Sequence, residues 1–314
     1  MKLSFVIPAL NEEESINQLY QEIIANCVPH DYEIIFIDDG STDKTYQVMK
    51  DIALHDNKVR VIKFRKNFGK AYALHIGFER VTGEIVFTLD ADLQDNPIEI
   101  KNFLKKMTEG YDLVTGWKVK RRDPFSKRLP SKLFNWVTSR TFKLKLNDYN
   151  CGFKAYTKDL VKELDIYGEM HRYVPALADA KGFKVGQIPV HHRAREFGKS
   201  KYGVERYLRG FLDLLTVKLI TKFNRSPLYL FGGIGSILTI LGTILGLYLT
   251  FMKYVQGMPL YNRPALFLAI LLILAGIQFF SIGLLGELIV NQTRKHTKNN
   301  VISIEEDLNF EKKE

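Results

Sequence analysis

Hydrophobic runs of strand length alternate with segments of helical spacing through the first two thirds of the chain. We predict six buried strands, at Leu3–Pro8, Glu33–Ile37, Val59–Phe64, Ile85–Leu89, Leu113–Trp117 and Lys184–His191. The first four are separated by segments with the apolar spacing of helices, an alternation that favours a parallel sheet with right-handed crossovers. The pattern therefore predicts an α/β domain with a mainly parallel sheet.

The first predicted helix follows a polar cluster at the end of the first strand. Asn11 and Glu14 have the spacing of a capping box, in which two side chains satisfy free amides at a helix N-terminus. We therefore expect a helix to begin here and to run to about Asn26.

Two long apolar runs occupy the C-terminal part of the chain. Leu228–Met252 and Pro264–Gly286 contain no charged residue. Each is longer than the roughly 20 helical residues that cross a bilayer. Positive charges lie before the first run and after the second, at Arg225 and Arg294, so the positive-inside rule predicts that both chain ends are cytoplasmic. A buried core helix is the alternative, but two such runs in succession favour membrane spans.

The same pattern divides the chain into four predicted parts. We expect a cytosolic α/β domain at 1–202, an amphipathic juxtamembrane helix at 203–226, a two-helix transmembrane hairpin at 227–290 and a cytosolic polar tail at 291–314. The juxtamembrane segment has apolar residues at helical spacing with arginine and lysine between them, as in helices that lie on a membrane surface.

Acidic side chains follow two of the predicted strands directly. Asp90 and Asp92 are two residues apart after the fourth strand, so they point to the same side and can share one cation. Carboxylates together with phosphate oxygens are the usual ligands of Mg²⁺ or Mn²⁺. Capping of the next helix by Asp92 or Asp95 is the alternative. Asp38 and Asp39 end the second strand, where they can accept hydrogen bonds from a base or a ribose.

Basic segments suit an anionic ligand or a membrane surface. The formal net charge is +10, which fits nucleic acid, phosphorylated small molecules or anionic lipid. The loop from Arg65 to Lys70 precedes a predicted helix, a position that binds phosphate, although solvation is the alternative. A candidate amphipathic helix at Pro130–Leu144 either lies at the headgroups or packs on the sheet. A glycine-containing basic segment after His192 is either a mobile flap over a diphosphate or a juxtamembrane patch.

Three motifs in register resemble the family 2 glycosyltransferases, which have the GT-A fold. These motifs are Val6–Glu12, Asp38–Asp43 and Asp90–Asp92. The segments Asn67–Lys70, Asp90–Asp95 and Asn150–Lys154 are also similar to polyprenyl-phosphate sugar transferases, among them dolichol-phosphate mannose synthase and bactoprenol glucosyltransferases. The paired apolar runs match the bactoprenol enzymes. The resemblance covers essentially the entire chain and implies a Rossmann-like GT-A catalytic domain.

The resemblance also implies roles for individual residues. A divalent cation, Mg²⁺ or Mn²⁺, would be held by Asp90, Asp92 and Gln94. The implied catalytic set is Asp92, Gln94, Asp148, Arg122 and Arg128, the two arginines being candidates for the acceptor phosphate. For Asp148, structural capping is an open alternative. The implied donor-binding set is Pro8, Leu10, Asn11, Glu12, Asp38, Asp39, Lys70, Asp90, Ala91, Arg193, Arg195, Lys199 and Lys201.

The reaction implied by the resemblance is inverting transfer of a sugar to undecaprenyl or another polyprenyl phosphate at the cytoplasmic face of the inner membrane. UDP-glucose is the favoured donor, with GDP-mannose and a UDP-aminopentose as alternatives, and a homotetramer fits the family. A non-catalytic membrane-anchored nucleotide-sugar binder is a competing hypothesis. A processive polysaccharide synthase is disfavoured because the Gln-x-x-Arg-Trp motif is absent from the sequence. We do not expect nucleic acid as a partner, since the basic segments lie beside the apolar runs.

Overall fold

A computed structural model describes residues 1–119, 135–194, 213–214, 216–219, 221, 227–257, 259 and 264–296. The chain divides into two compact units, the first extending to Val217 and the second beginning at Lys218. Arg122, Arg128, Arg195, Lys199, Lys201, most of the predicted juxtamembrane helix and most of the polar tail lie outside the described residues.

The first unit is built on a seven-stranded sheet in the order β3-β2-β1-β4-β6-β5-β7. The strands are β1 Lys2–Ala9, β2 Asp31–Asp38, β3 Val59–Lys63, β4 Ile85–Thr88, β5 Leu113–Lys118, β6 Lys154–Thr157 and β7 Val185–Val190. All neighbouring pairs are parallel except the two that involve β6. The predicted mainly parallel α/β fold is confirmed, and all six predicted strands are present. The sequence pattern missed β6, which is four residues long and begins with a lysine.

Helices cover both faces of this sheet, as parallel strands require. They are α1 Ile16–Cys27, α2 Thr45–His55, α3 Lys70–Phe78, α4 Ile100–Met107, α5 at residues 135–142, α6 Lys158–Glu163 and α7 Val174–Ala180. Short 3₁₀ turns at Pro97–Glu99 and Met170–Arg172 precede α4 and α7.

Four buried phenylalanines join the centre of the sheet to α4. Phe5 stacks on Phe87 with ring centroids 5.2 Å apart, and Phe87 meets Phe103 edge-on at 6.0 Å. Phe103 lies 4.4 Å from Phe153, next to the start of β6. Aromatic contacts of this kind add to the free energy gained by burying the rings. The cluster fixes β4 against the 150–154 segment, which brings their polar ends together.

The predicted capping box at Asn11 is wrong. The helix begins at Ile16, after Ser15, and Asn11 has a left-handed backbone with φ of 50°. The Asn11 side chain instead accepts a hydrogen bond from the backbone amide of Thr42, at 2.7 Å. A contact with another loop of the sheet therefore prevails over the local cap.

The described part of the predicted helix at Pro130–Leu144 packs partly on the first unit. The Phe142 ring lies 6.4 Å from the Tyr173 ring, and Asn135 donates from its side chain to the carbonyl of Asn147 at 2.9 Å. Trp136 is exposed. The contacts of Phe142 and Asn135 support packing on the first unit, and the headgroup interpretation stays a prediction.

The described residues of the second unit from 227 onwards contain two long apolar helices, Pro227–Gln256 and Pro264–His296. Both contain a stretch that is long and apolar enough to cross a membrane. Only 17% of the residues in this stretch of the first helix and 11% in that of the second are buried. The two helices approach closely at Gly235 and Gly276, where a Cβ added to either would lie 2.6–2.7 Å from the other's carbonyl oxygen. Most apolar side chains therefore face outwards, as expected for helices that contact lipid rather than a protein core.

A buried carboxylate, Glu33, connects several strands at the edge of the sheet opposite the edge where Asp38 and Asp90 lie. Glu33 on β2 accepts hydrogen bonds from the Ser4 hydroxyl at 2.5 Å and from the backbone amide of Thr82 at 2.6 Å. It also forms an ion pair with Arg60 of β3. Burial opposes ionisation of Glu33, but the hydrogen bonds from Ser4 and Thr82 outweigh it and lower the pKa. This carboxylate therefore joins β1, β2, β3 and the turn before β4.

We expect Glu33→Gln to destabilise the first unit by about 1–3 kcal/mol, because an amide nitrogen replaces an oxygen that accepts from buried donors. Both tryptophans, Trp117 and Trp136, lie in this unit. Tryptophan fluorescence during urea unfolding at constant detergent concentration would measure the change.

Asp31→Asn is the matched control, since Asp31 lies on the same strand but its ion pair with Lys58 is exposed. It should change the free energy of unfolding by less than about 1 kcal/mol. The stabilisation from Glu33 is present above the ordinary glutamate pKa of 4.5 and is lost as the pH falls through its lowered value in the folded protein. The difference in the free energy of unfolding between wild type and Glu33→Gln should therefore become smaller below pH 4.5. Equal effects of the two substitutions would contradict this account.

Candidate active site

Hydrogen bonds join the loops that follow β1 and β2. The Asn11 amide donates to the Ser41 hydroxyl at 2.9 Å, and the Glu12 amide donates to the Thr45 hydroxyl at 2.8 Å. With the bond from Thr42 to Asn11, these contacts place the first two predicted motifs side by side. The carboxyl ends of neighbouring parallel strands are where open α/β sheets bind ligands.

The two aspartates that end β2 are both buried and have different partners. Asp39 accepts hydrogen bonds from the backbone amides of Phe68 at 2.7 Å and Gly69 at 3.0 Å. Burial and the neighbouring Asp38 raise the pKa of Asp39, against the effect of these amides. Asp38 accepts from the Ser41 amide at 2.9 Å through Oδ1, whereas its Oδ2 has no hydrogen-bond partner among the described residues. Asp39 thus holds the loop before α3, and Asp38 keeps an acceptor available.

The loop held by Asp39 passes very close to Gly40. This glycine has φ of 75°, and a Cβ added to it would lie 2.5 Å from the carbonyl carbon of Lys66. A larger residue would meet backbone on one side and adopt a strained backbone as well. Gly40 therefore sets the distance between the β2 end and the basic loop that leads to Lys70.

Asp90 follows β4 after one intervening residue, Leu89, and its side chain lies between a lysine and a glycine. Its Oδ1 forms an ion pair with the ammonium of Lys70, the first residue of α3. Burial opposes ionisation, but Lys70, Lys118 and Lys154 outweigh it and lower the pKa of Asp90 to about 2. A Cβ at Gly152 would lie 2.5 Å from Asp90 Oδ2, so a larger residue would have to displace the carboxylate from this position.

A tight turn after Asp90 brings two further carboxylates to the same place. Leu93 has a left-handed backbone with φ of 59°, and the Gln94 amide donates to Asp92 Oδ1 at 3.2 Å. Asp95 is 2% exposed, and its Oδ1 lies 3.6 Å from the ammonium of Lys118 at the end of β5. Burial raises the pKa of Asp95 against the effect of Lys118. For Lys118, Asp95 and Asp90 raise the pKa despite burial, so this ammonium stays charged.

The 148–154 segment adds further charged side chains beside these carboxylates and lysines. Asp148 is buried and accepts from the Asn150 amide at 3.1 Å, and its charge acts on both Lys118 and Lys154. Lys154 is 3% exposed and donates to the carbonyl of Cys151. Burial and the charge of Lys70 lower the pKa of Lys154 to about 8. Lys70 and Lys154 line one small cavity next to Gly152.

The segment after β7 contacts the turn at residues 90–95, which we call the acidic turn. His192 forms an isolated antiparallel bridge with Asp95, and the Arg193 amide donates to the Gln94 carbonyl at 2.9 Å. The guanidinium of Arg193 pairs with Glu22 of α1 at 2.8 Å. The start of the predicted flap is thus anchored beside the acidic turn, while the Arg193 side chain is engaged by α1.

The structure brings many of the predicted site residues to one edge of the sheet. Among the described ones these are Pro8, Leu10, Asn11, Glu12, Asp38, Asp39, Lys70, Asp90, Ala91, Asp92, Gln94 and Asp148. Sequence reasoning did not select Asp95, Lys118, Gly152 and Lys154. Gly152 and Lys154 lie in the motif Asn150–Lys154, and Asp95 ends the motif Asp90–Asp95, so a signal existed for these three. For Lys118 the signal was its place in the basic stretch that leads to Arg122.

The donor set suits a hard divalent cation bound together with a ligand. Asp90 is ionised and presents carboxylate oxygens beside Asp92. Within the part of the chain that the structure describes, no group of three or more histidine, cysteine, aspartate or glutamate residues is arranged to hold a metal ion. A cation here would therefore need oxygens from a bound phosphate or from water, as is usual for Mg²⁺.

Carboxylates and ammonium groups at the carboxyl edge of a doubly covered sheet are typical of α/β enzymes that bind a nucleotide or another phosphorylated ligand. The sequence matches the model of glycosyl transferase family 2 over residues 4–165. The chain belongs to this family, as the sequence motifs predicted.

Two curated relatives match almost the whole chain. Dodecaprenyl-phosphate galacturonate synthase from Rhizobium johnstonii is 35% identical over 296 residues, which are 92% of this chain and 88% of that protein. Undecaprenyl-phosphate 4-deoxy-4-formamido-L-arabinose transferase from Enterobacter sp. is 35% identical over 293 residues, with the same coverage of 92% and 88%. Both relatives are named for polyprenyl phosphates and for different sugars.

Solved structures confirm the GT-A fold of the first unit. Glucosyl-3-phosphoglycerate synthase from Mycobacterium tuberculosis, in complex with Mn²⁺, UDP and phosphoglyceric acid, has a TM-score of 0.56 and 20% identity, covering 70% of this chain and 78% of that chain. Its complex with Mn²⁺ and UDP-glucose has a TM-score of 0.55 at 21% identity, with the same coverage of 70% and 78%. At this level of identity the likeness concerns the fold alone.

Replacing Gly152 tests the packing of Asp90. We expect Gly152→Ala to move the Asp90 carboxylate and to lower sugar-transfer activity by about ten- to a hundredfold, because small misplacements of catalytic groups are costly. Activity with the natural donor and the thermal unfolding midpoint would both be measured.

Gly246→Ala provides the control, because that helical glycine has nothing within 4 Å of an added Cβ. It should leave activity unchanged. Full activity in Gly152→Ala would show that Asp90 tolerates displacement and would contradict the proposed packing.

Proposed function

We propose that this chain transfers a sugar from a nucleoside diphosphate sugar to a polyprenyl phosphate. The observation that carries the proposal is the convergence of Asp90, Asp92 and Lys70 at the carboxyl edge, against Gly152. The names of two relatives that match 92% of the chain support polyprenyl phosphate as the acceptor class.

The donor would bind along the ends of β1, β2 and β4. Asn11 and Glu12 lie beside Asp38 and Asp39, whose buried carboxylates suit the donors of a base or a ribose. The diphosphate would then lie near Asp90, where Asp92 and Gln94 complete the proposed metal ligands. A bound Mg²⁺ or Mn²⁺ would neutralise charge on the diphosphate leaving group. The Mn²⁺ complexes of the structurally similar synthase support a divalent cation, with either metal compatible with oxygen ligands.

The acceptor needs little activation by a general base. A phosphate monoester has a second pKa near about 6, so it is largely a dianion at neutral pH and already nucleophilic. The main obstacle is the approach of one anion to another. Arg122 and Arg128 are the proposed acceptor-phosphate ligands, and Lys118 and Lys154 add positive charge beside Asp90. In-line displacement at the anomeric carbon would invert its configuration.

The sugar itself is the least constrained part of the proposal. UDP-glucose is the donor favoured by resemblance, whereas the relatives are named for galacturonate and 4-deoxy-4-formamido-L-arabinose. We therefore propose a donor panel of UDP-glucose, UDP-galacturonate, a UDP-aminopentose and GDP-mannose. The residues that carry the proposal bind phosphates, which all these donors share.

The second unit supports a membrane location for the reaction. Its two helices are long and apolar enough to cross a bilayer. We propose an inner-membrane protein with a cytoplasmic catalytic domain, since the flanking arginines and lysines satisfy the positive-inside rule. The proposed flap residues Arg195, Lys199 and Lys201 would close on the donor diphosphate, and homotetramer assembly stays a proposal from resemblance.

The reaction would be tested with purified full-length protein, undecaprenyl phosphate, Mn²⁺ or Mg²⁺ and each donor of the panel. We expect lipid-linked sugar from one donor. Chromatography of the lipid extract would measure this product. Asp92→Asn and added EDTA should each reduce transfer by about a hundredfold or more, because the leaving diphosphate loses its counter-charge. Donor binding without transfer or hydrolysis would instead favour a membrane-anchored nucleotide-sugar binder.

The proposed acceptor arginines give a separate prediction. Arg122→Ala and Arg128→Ala should raise the KM for undecaprenyl phosphate by about tenfold each, because each removes a charge-assisted phosphate contact. The KM for the donor should change little. Arg80→Ala is the control, since Arg80 is exposed and its side chain donates to the Ile76 carbonyl of the preceding helix α3. An increase in the KM for the donor alone would contradict this prediction and would assign these arginines to the donor site.

A further inference from the structure

The Lys70–Asp90 ion pair occupies the place where the proposed metal would bind. The ammonium of Lys70 lies on Oδ1 of Asp90, and the two side chains are 22% and 33% exposed. Partial shielding from water makes such a pair stronger than one on the open surface. A cation of the protein itself therefore neutralises this carboxylate.

The backbone next to Lys70 is held by Asp39, which belongs to the proposed nucleotide-binding residues. Lys70 follows Gly69, whose amide donates to Asp39 at 3.0 Å, and the Phe68 amide donates to the same carboxylate at 2.7 Å. The backbone before Lys70 is thus tied to the end of β2, while its side chain reaches the end of β4. The lysine connects the proposed nucleotide loop to the proposed metal ligand.

A divalent cation bound to Asp90 would lie within a few ångströms of this ammonium. Two positive groups at such a distance repel each other, and the repulsion is strong in a partly buried site. The ammonium must then leave Oδ1 or find an anion nearby. Lys154, which lines the same small cavity as Lys70, adds to the repulsion, whereas the charge of the buried Asp95 attracts the ammonium.

We propose that Lys70 is an exchangeable counter-cation. It holds Asp90 while the donor site is empty and moves to the diphosphate when a metal–nucleotide complex binds. This inference rests on the proposed function, since it takes a nucleoside diphosphate and a divalent cation as the ligands.

Exchange of this kind makes metal and diphosphate bind cooperatively. Metal alone must displace Lys70 from Asp90, which separates the ammonium from this carboxylate. Metal with a diphosphate supplies a new anion for the ammonium at the same time. Because coupling between two ligands is reciprocal, each should raise the affinity of the protein for the other by the same factor.

The test is the binding of Mn²⁺ to full-length protein in detergent, with and without a saturating nucleoside diphosphate. UDP and GDP would both be tried, and the one that wild type binds would be kept. Electron paramagnetic resonance of free Mn²⁺ and calorimetry would give the dissociation constants. The variants are Lys70→Met, Lys70→Arg and, as a charge-matched control, Lys105→Met on the exposed face of α4.

In Lys70→Met we expect Mn²⁺ alone to bind about three- to tenfold more tightly, since no ammonium competes for Asp90. The nucleotide should bind more weakly, and the factor by which it strengthens Mn²⁺ binding should fall by about the same amount. Lys70→Arg should retain the coupling, and Lys105→Met should match wild type. Thermal unfolding of each variant would establish that the domain stays folded.

The outcomes separate this inference from the proposed function. Wild type that binds Mn²⁺ and the diphosphate with a coupling unaffected by Lys70→Met would overturn the exchange and leave the donor site standing. Weaker binding of Mn²⁺ alone in Lys70→Met would also overturn it, because Lys70 would then support the carboxylate. Wild type that binds no Mn²⁺ under either condition would refute both.

Discussion

The structure depends on keeping a charged carboxylate at the carboxyl end of β4 without full access to water. Asp90 has this position, and burial alone would favour its neutral form. Three lysines from separate elements supply the compensating charge, and Gly152 supplies the space. Removing a charge from a site of this kind usually costs more than forming the pair gains, because the partner is left unpaired. The ends of β4, β5 and β6 and the start of α3 are therefore bound to one another by charge.

Short polar contacts extend this organisation to the nucleotide side of the site. Asn11 and Asp39 each use a side chain to hold the backbone of a different loop. Fixed loops reduce the ordering that a ligand must bring about, which favours binding and catalysis. The same contacts explain why the side chains of Asn11 and Asp39 do not cap helices. Their hydrogen bonds go to neighbouring loops, which only the folded sheet brings within reach.

The two units are suited to different solvents. The sheet of the first unit is covered by helices and has aromatic rings packed at its centre, as in a water-soluble enzyme. The helices of the second unit bury few side chains and meet through glycines, as helices in lipid do. One polypeptide can thus present a polar donor site and an apolar surface suited to a lipid acceptor, which the proposed reaction requires.

The sequence by itself determined six of the seven strands and their order, the two apolar helices and the acidic motifs at the strand ends. These follow from local patterns, because burial and residue spacing act over a few positions. The tertiary structure decided the partners: Lys70 on Asp90, Lys118 beside Asp95, and Gly152 against Asp90. It also decided that Asn11 binds a second loop and that β6 runs antiparallel. Ion pairs and steric contacts of this kind join residues far apart in the chain, so only the folded backbone specifies which groups meet.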